Sequence, residues 1–377
     1  MNFSKERKYF PILEEKVQLS SCSQSALSIQ VQQSLDEFMQ TWISEGMDWN
    51  KWMVCVEETK ALFAKMINAS PEEIAILSSV SDAASTVASA LNFDGQRNKI
   101  VTTELDFPSI GHVWLAQKKR GAKVDFIPAV DNKIALESYD GYVDHHTLVT
   151  SISHVSYYNG FKQDLKSIAS KVHSKGSYLF VDAYQSAGSV EIDVKEMDID
   201  FLSTGSQKFM LGTPGIAFLY VKSEIAEQLE PSTTGWFGRV SPFAFDIKQL
   251  DYAEGAKRFN TGTPPMINAY AARGGLTLLN EIGVDRIEKY LSSLSSFAIN
   301  YAKEKDFKLA SPEDLNDKAS NTAIFIPNAA KMEQQLRQDN VIVSARNDVI
   351  RIAPHFYNTE EDIATAIDKM AYLLAKA

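Results

Sequence analysis

Two charged residues at the ends of neighbouring apolar runs carry the first chemical signal. Asp182 lies near the end of the run SYLFVDA, and Lys208 stands in STGSQKFMLGTPG, a segment rich in Gly and small polar residues that overlaps the end of the next run, DFLSTG. Ligands of open α/β sheets bind at the carboxyl edge of the strands. An acid at one strand end and a lysine just past the next can therefore face one small molecule from two sides. Pyridoxal phosphate needs that pair: its aldehyde forms a Schiff base with a lysine amine. A carboxylate keeps its ring nitrogen protonated, so that the ring draws electrons from the substrate Cα. Each residue alone has a plainer use, Lys208 as a solvated surface lysine and Asp182 as a helix N-cap. Their spacing and the glycine context favour the paired role.

The elements that must position them are legible around both. From about residue 74 to 221, short β-branched runs alternate with amphipathic stretches. The strand candidates are IVTTEL (100–105), AKVDFIP (122–128), HTLVTSIS (146–153), SYLFVDA (177–183), DFLSTG (200–205) and IAFLYV (216–221). SIGHVWLAQKKRG and LKSIASKVHSKG read as helices closed by glycine. Strands apolar on both faces and separated by helices indicate a mainly parallel sheet between helical layers, an α/β fold. The pattern changes near Gly283. A long helical segment, VDRIEKYLSSLSSFAINYAKEK, leads into strands NTAIFIP, VIVSARN and VIRIAPH and helices KMEQQLRQD and TEEDIATAIDKMAYLLAKA. The expected division is a large cofactor-binding domain over 26–283 and a smaller C-terminal α/β domain over 284–377, which residues 1–25 can complete.

The 377 residues carry 38 Lys+Arg against 48 Asp+Glu, a formal charge of −10. With no basic run, nucleic acid and anionic membrane are not expected partners. No stretch reaches the ~18 uninterrupted apolar residues of a membrane span, and the charged N-terminus has no apolar signal core. Two cysteines, Cys22 and Cys55, make no disulfide framework. Six histidines show no metal-ligand spacing. The expectation is a cytoplasmic protein without a metal site. Neither G-x-G-x-x-G nor G-x-x-x-x-G-K-[ST] occurs, which leaves a nucleotide-binding reading without support.

VDAYQSAG followed by FLSTGSQKFMLGTPGIAFLYV resembles the cofactor segment of the class V aminotransferase family, and RIAPHFYNTEEDI (351–363) resembles its carboxylate-binding arginine segment. The likeness runs from about Gln18 to the C-terminus. It implies the fold called type I among pyridoxal-phosphate enzymes, with Lys208 as the Schiff-base lysine and Asp182 as the ring-nitrogen partner. Gln185 matches the position that bonds the ring's phenolic oxygen. Ser81 and Asp82, in ILSSVSDAASTVASAL, match a phosphate-binding turn that opens a helix, where unpaired N–H groups and the helix dipole favour an anion. Phe107 matches the aromatic stacked on the ring, and Gln207 stands where desulfurases carry histidine. Gly262 and Thr263, in RFNTGTPP, match a loop that reaches the phosphate of a neighbouring subunit, which implies a homodimer with shared sites. Arg351 matches the residue that clamps the α-carboxylate of an amino-acid substrate.

The same family includes cysteine desulfurases, selenocysteine lyases, kynureninases and isopenicillin N epimerases. Tyr157 and Gln207 depart from the desulfurase pattern, and VIVSARNDVIR has no cysteine before Arg351 to accept sulfur. With both cysteines far upstream, desulfurase chemistry is disfavoured. Phe107 and GWFG suit a kynureninase, whereas Arg239 and Thr263 do not. The expectation is an aminotransferase-like enzyme, with a lyase or epimerase as the alternative. The aromatic segment TGWFGRVSPFAFD (234–246) suits a substrate pocket or a dimer contact equally.

Overall fold

Apolar strands that alternate two ways need cover on both faces, and the chain supplies it. A computed structural model describes residues 2–376. Its strands are β1 (Val17–Gln18), β2 (Ile74–Leu77), β3 (Lys99–Thr103), β4 (Lys123–Ile127), β5 (Thr147–Ser153), β6 (Tyr178–Asp182), β7 (Phe201–Gly205), β8 (Ala217–Val221), β9 (Thr322–Phe325), β10 (Val341–Ile342), β11 (Ser344–Arg346) and β12 (Val349–Ile352). Seven of them form one sheet in the order β2-β8-β7-β6-β5-β3-β4. Pairing is parallel from β4 across to β7, while β8 runs antiparallel to both β7 and β2.

Successive residues of the central strands enter opposite cores, as a side-chain period of two requires. In β6, Leu179 and Val181 join one hydrophobic cluster and Phe180 the other; in β7, Leu202 and Phe201 divide the same way. All five are fully buried. Helices cover both faces, and the helix Met266–Ile282 packs against the helices Ile29–Glu45 and Trp49–Met66. After β3 the chain adds β4 on one side and then returns to place β5 on the other. That reversal opens a crevice at the carboxyl edge, where such sheets bind ligands.

The C-terminal strands form a separate antiparallel sheet in the order β11-β12-β9. VIVSARN, read in sequence as one strand, divides at Val343. β10 pairs in parallel with β1, and β11 turns away to pair with β12. One run thus serves two sheets and ties the N-terminal segment to the C-terminal one. Ser20 continues the connection through a parallel bridge to Ala353, and Arg7 pairs with Asp362 at 2.7 Å. Among the described residues no helix is long and apolar enough to cross a membrane.

Candidate active site

The end of β6 delivers Asp182 and the loop after β7 delivers Lys208 to one cavity of about 450 Å³. The lysine loop is held from within. Ser206 accepts from the Gly212 N–H at 2.8 Å and donates its hydroxyl to the Thr213 carbonyl at 2.7 Å. The Leu211 N–H closes a turn on the Lys208 carbonyl at 3.1 Å. Leu211 takes φ +62°, left-handed backbone that the turn imposes on a bulky residue. The Lys208 Nζ lies 4.1 Å from the Tyr184 ring centroid and 5.5 Å from that of Phe107. It has no hydrogen bond and no ion pair among the described residues.

Burial dominates the electrostatics of the pair. It pushes the Lys208 ammonium down to about 8, and Arg351 and Arg346 push in the same direction, against the pull of Asp182. It lifts the Asp182 carboxyl to about 6, with Asp106 adding to the rise. The Tyr184 N–H, donated to Asp182 Oδ1 at 2.9 Å, and the charge of Lys208 oppose that rise. A lysine whose amine deprotonates near neutrality is a nucleophile, and a buried carboxylate with one bonded oxygen is ready for a cationic partner.

Arg351, fully buried on β12, lines the same cavity. Its Nη1 donates to the Tyr157 carbonyl at 2.8 Å, and its Nη2 donates to Ser23 Oγ at 2.9 Å and Ser344 Oγ at 2.6 Å. All of these acceptors are uncharged. The guanidinium is held rigidly while its positive charge stays uncompensated, as a carboxylate receptor requires. Opposite, Ser79 caps the helix Val80–Ala90 by accepting from the Asp82 N–H at 3.1 Å. Ser78, Ser79 and Ser81 face the cavity from that helix start.

Of the residues named from sequence, Asp182, Lys208, Gln185, Gln207, Ser81, Phe107 and Arg351 line this one cavity. Asp82, Gly262 and Thr263 do not line it; all three are exposed. The Asp82 carboxylate is turned to solvent, and its N–H is already taken by Ser79. The aromatic segment 234–246 also stays outside this chain's cavity. Trp236 packs instead against Phe237, Phe245 and Trp49, leaving Phe245 and Ile247 71% and 94% exposed.

Three contributions escaped the sequence reading. Cys22, taken to be remote because it lies far upstream, lines the cavity. The bridge from Ser20 to Ala353 carries it there, which corrects the premise that both cysteines stand away from the site. Ser23 arrives with it and holds Arg351. Asp106 is buried beneath the turn before Phe107, accepting from Thr102 Oγ1 at 2.6 Å and the Thr103 N–H at 2.9 Å, and from the Ser153 N–H. An acid close to a strand's carboxyl end, as at Asp182, was the available signal for Asp106. For Ser23 there was none, because its role comes from a long-range strand pairing.

The geometry fits pyridoxal phosphate. An unpartnered lysine and a carboxylate with an open oxygen face one cavity without pairing to each other, beside a helix start. The model of the family described as aminotransferase class-V matches residues 24–365. An "Uncharacterized aminotransferase YcbU" of Bacillus subtilis (strain 168) is 42% identical over 365 residues, covering 97% of this chain and 96% of the relative. A kynureninase of Bacillus cereus (strain ATCC 10987 / NRS 248) is 27% identical over 375 residues, covering 93% and 86%. The apo structure of the cysteine desulfurase from Thermococcus onnurineus NA1 superimposes with a TM-score of 0.90 at 24% identity, covering 100% of this chain and 99% of that one. The fold is that of the type I pyridoxal-phosphate enzymes. The chain belongs to the class V aminotransferase family, as an enzyme whose cofactor is pyridoxal 5'-phosphate.

Proposed function

We propose that this enzyme transfers the amino group of an amino acid, with Lys208 as cofactor anchor and proton carrier. The observation that carries the reading is the convergence of a lysine depressed to about 8, a buried acid and an uncompensated arginine on one cavity. The aminotransferase name of the 42% identical relative supports transamination over the alternatives.

In this reading Asp182 binds the ring nitrogen, Phe107 covers the ring, and Gln185 and Gln207 flank its polar edge. Ser81 and the first turn of the helix Val80–Ala90, to which Asp82 contributes backbone only, hold the phosphate. When bound, the cofactor supplies an aldehyde for the substrate amine and a protonated ring that withdraws electrons from Cα. Arg351 would fix the α-carboxylate and so orient the substrate Cα for the cofactor's electron withdrawal. With its ammonium depressed to about 8, the Lys208 side chain would hold a substantial neutral fraction near pH 7.5, and that neutral amine would accept the Cα proton. Tyr184 and Phe107 wall its ammonium from water.

The exposed turn at Gly262 and Thr263 supports a homodimer in which it reaches the partner's phosphate. A division into 26–283 and 284–377 with 1–25 is supported by the pairing of β1 with β10. Work in the cytoplasm is in keeping with two free, buried cysteines.

The test is to present the loaded enzyme with an amino-acid panel and follow cofactor and product by mass spectrometry. Pyridoxamine phosphate with a keto acid establishes transamination. A shortened product with unchanged cofactor makes it a lyase; deuterium uptake at Cα without net change makes it an epimerase. Cys22 favours one further reading, sulfur removal from cysteine, because it lines the same cavity as Lys208. Alanine together with a Cys22 persulfide, both lost in Cys22→Ser, would establish that activity.

A further inference from the structure

One charged group in the cavity is left idle by this chemistry. Arg346 ends β11, half-buried, and lines the same cavity as Lys208 and Arg351. Its side chain makes no hydrogen bond and no ion pair among the described residues, and its Nε is buried without a partner. Asp348, the nearest acid in the chain, is engaged by the Tyr158 hydroxyl at 2.8 Å instead. The guanidinium stands 6.0 Å from the Tyr157 ring centroid, and Tyr157 in turn packs edge-on against Phe107 at 5.1 Å. A cation held over an aromatic wall, with a buried donor lacking an acceptor, points to a missing anion.

Charge counting narrows that anion. The lining carries three cations, Lys208, Arg346 and Arg351, against one acid, Asp182. In the proposed function Asp182 is matched by the ring nitrogen, the phosphate is taken by Ser81 and the start of the helix Val80–Ala90, Lys208 reacts as a neutral amine, and Arg351 takes the α-carboxylate. Arg346 is left over. The sheet sets its place relative to Arg351: Ser344 lies directly opposite Arg351, and Arg346 opposite Val349. Ser344, Arg346 and Arg351 therefore share one face of the sheet, the two arginines rooted about 7 Å apart along the strand direction. That separation is on the scale of a four- or five-carbon diacid.

Resting on that functional reading, we propose that Arg346 binds a second carboxylate at the end of the substrate side chain, so that the site selects dicarboxylic amino acids. Tyr157 then supports the guanidinium from behind while the aliphatic part of the substrate lies along Phe107.

Calorimetric titration of the holoenzyme with unreactive acids tests this apart from turnover. Glutarate should bind at least about 10-fold more tightly than butyrate. Arg346→Gln should remove that preference while leaving butyrate within about 2-fold, and Arg346→Lys should retain part of it. Equal wild-type affinity for the two acids overturns the proposal without any variant. So does an Arg346→Gln protein that loses both acids equally, which would assign Arg346 to the α-carboxylate. Weaker pyridoxal-phosphate binding in that variant, with the preference intact, would assign it to the phosphate and overturn it too. Because the titration reads carboxylate binding, it stands whether the panel experiment returns a transaminase, a lyase or an epimerase.

Discussion

The depressed basicity of Lys208 gives the sharpest quantitative expectation. With its ammonium titrating at about 8, roughly a quarter of the amine is neutral at pH 7.5, against about one part in a thousand for an ordinary lysine. An aldehyde should therefore react at Lys208 roughly 200-fold faster than at a solvated lysine of equal access. The sign follows from the cause: burial penalises the charged form, so raising the pH through 8 completes deprotonation and the rate then levels. Trapping the pyridoxal-phosphate adduct with cyanoborohydride across about pH 6–10, and quantifying the Lys208 peptide by mass spectrometry, measures the profile. Asp182→Asn removes the one nearby carboxylate that supports the ammonium, so the inflection should move lower still. An inflection near 10.5, the value of an unperturbed lysine, would refute the account of the site. An upward shift in Asp182→Asn would refute the coupling between the pair.

Arg351→Lys keeps a charge but cannot reach Tyr157, Ser23 and Ser344 together, and should weaken butyrate binding by about 10–100-fold, measured by calorimetry. Gly205→Ala puts a methyl group into the Tyr184 hydroxyl and ring. Overpacking there should cost about 1–3 kcal/mol in chemical denaturation and shift the Lys208 inflection by disturbing the Tyr184 wall; an unchanged stability would contradict it. Burial pushes His154 down to about 3 and His355 to about 4, so both are neutral in the folded chain at pH 7. Their stabilising effect is complete above the unfolded value near 6.5 and is lost as pH falls from there towards the folded values. Each should contribute a slope of up to roughly 1.4 kcal/mol per pH unit in that window. Melting temperatures flat between pH 7 and about 4.5 would count against this.

Much of the fold was legible because its signals are local. Strands such as SYLFVDA and DFLSTG are apolar on both faces, which only a covered sheet tolerates, and the observed β6 and β7 fall inside them. Asp182 and Lys208 were legible for a related reason: both sit at strand ends, so a coarse strand assignment already puts them on one edge. The division of VIVSARN was not legible, because its alternation is continuous and only the partners differ, β1 on one side of Val343 and β12 on the other. Cys22 and Ser23 failed for the same cause. Nothing in SSCSQSA distinguishes a cavity wall from a polar loop until Ser20 pairs with Ala353.

The site consequently depends on a joint between distant parts of the chain. The Gln207 side chain donates to the Ser23 carbonyl at 3.3 Å, Ser23 holds Arg351, and the Ser25 N–H bonds the Gln207 carbonyl at 3.2 Å. His355 closes the ring of contacts. Its Nδ1 accepts from the Phe356 N–H at 2.8 Å, which leaves Nε2 as the donor to the Phe209 carbonyl at 2.9 Å, one residue past Lys208. Only the neutral imidazole satisfies both bonds, since a proton on Nδ1 would oppose a backbone donor. Lys208 and Arg351 are thus registered to each other through backbone contacts, which is what the proposed proton transfer at Cα would require. Protonating His355 would loosen the two together, so carboxylate binding should be lost as the pH falls towards about 4, far below the range around 8 in which Lys208 itself gives up its neutral amine. Carboxylate binding that instead fell away around pH 8 would refute this role for His355.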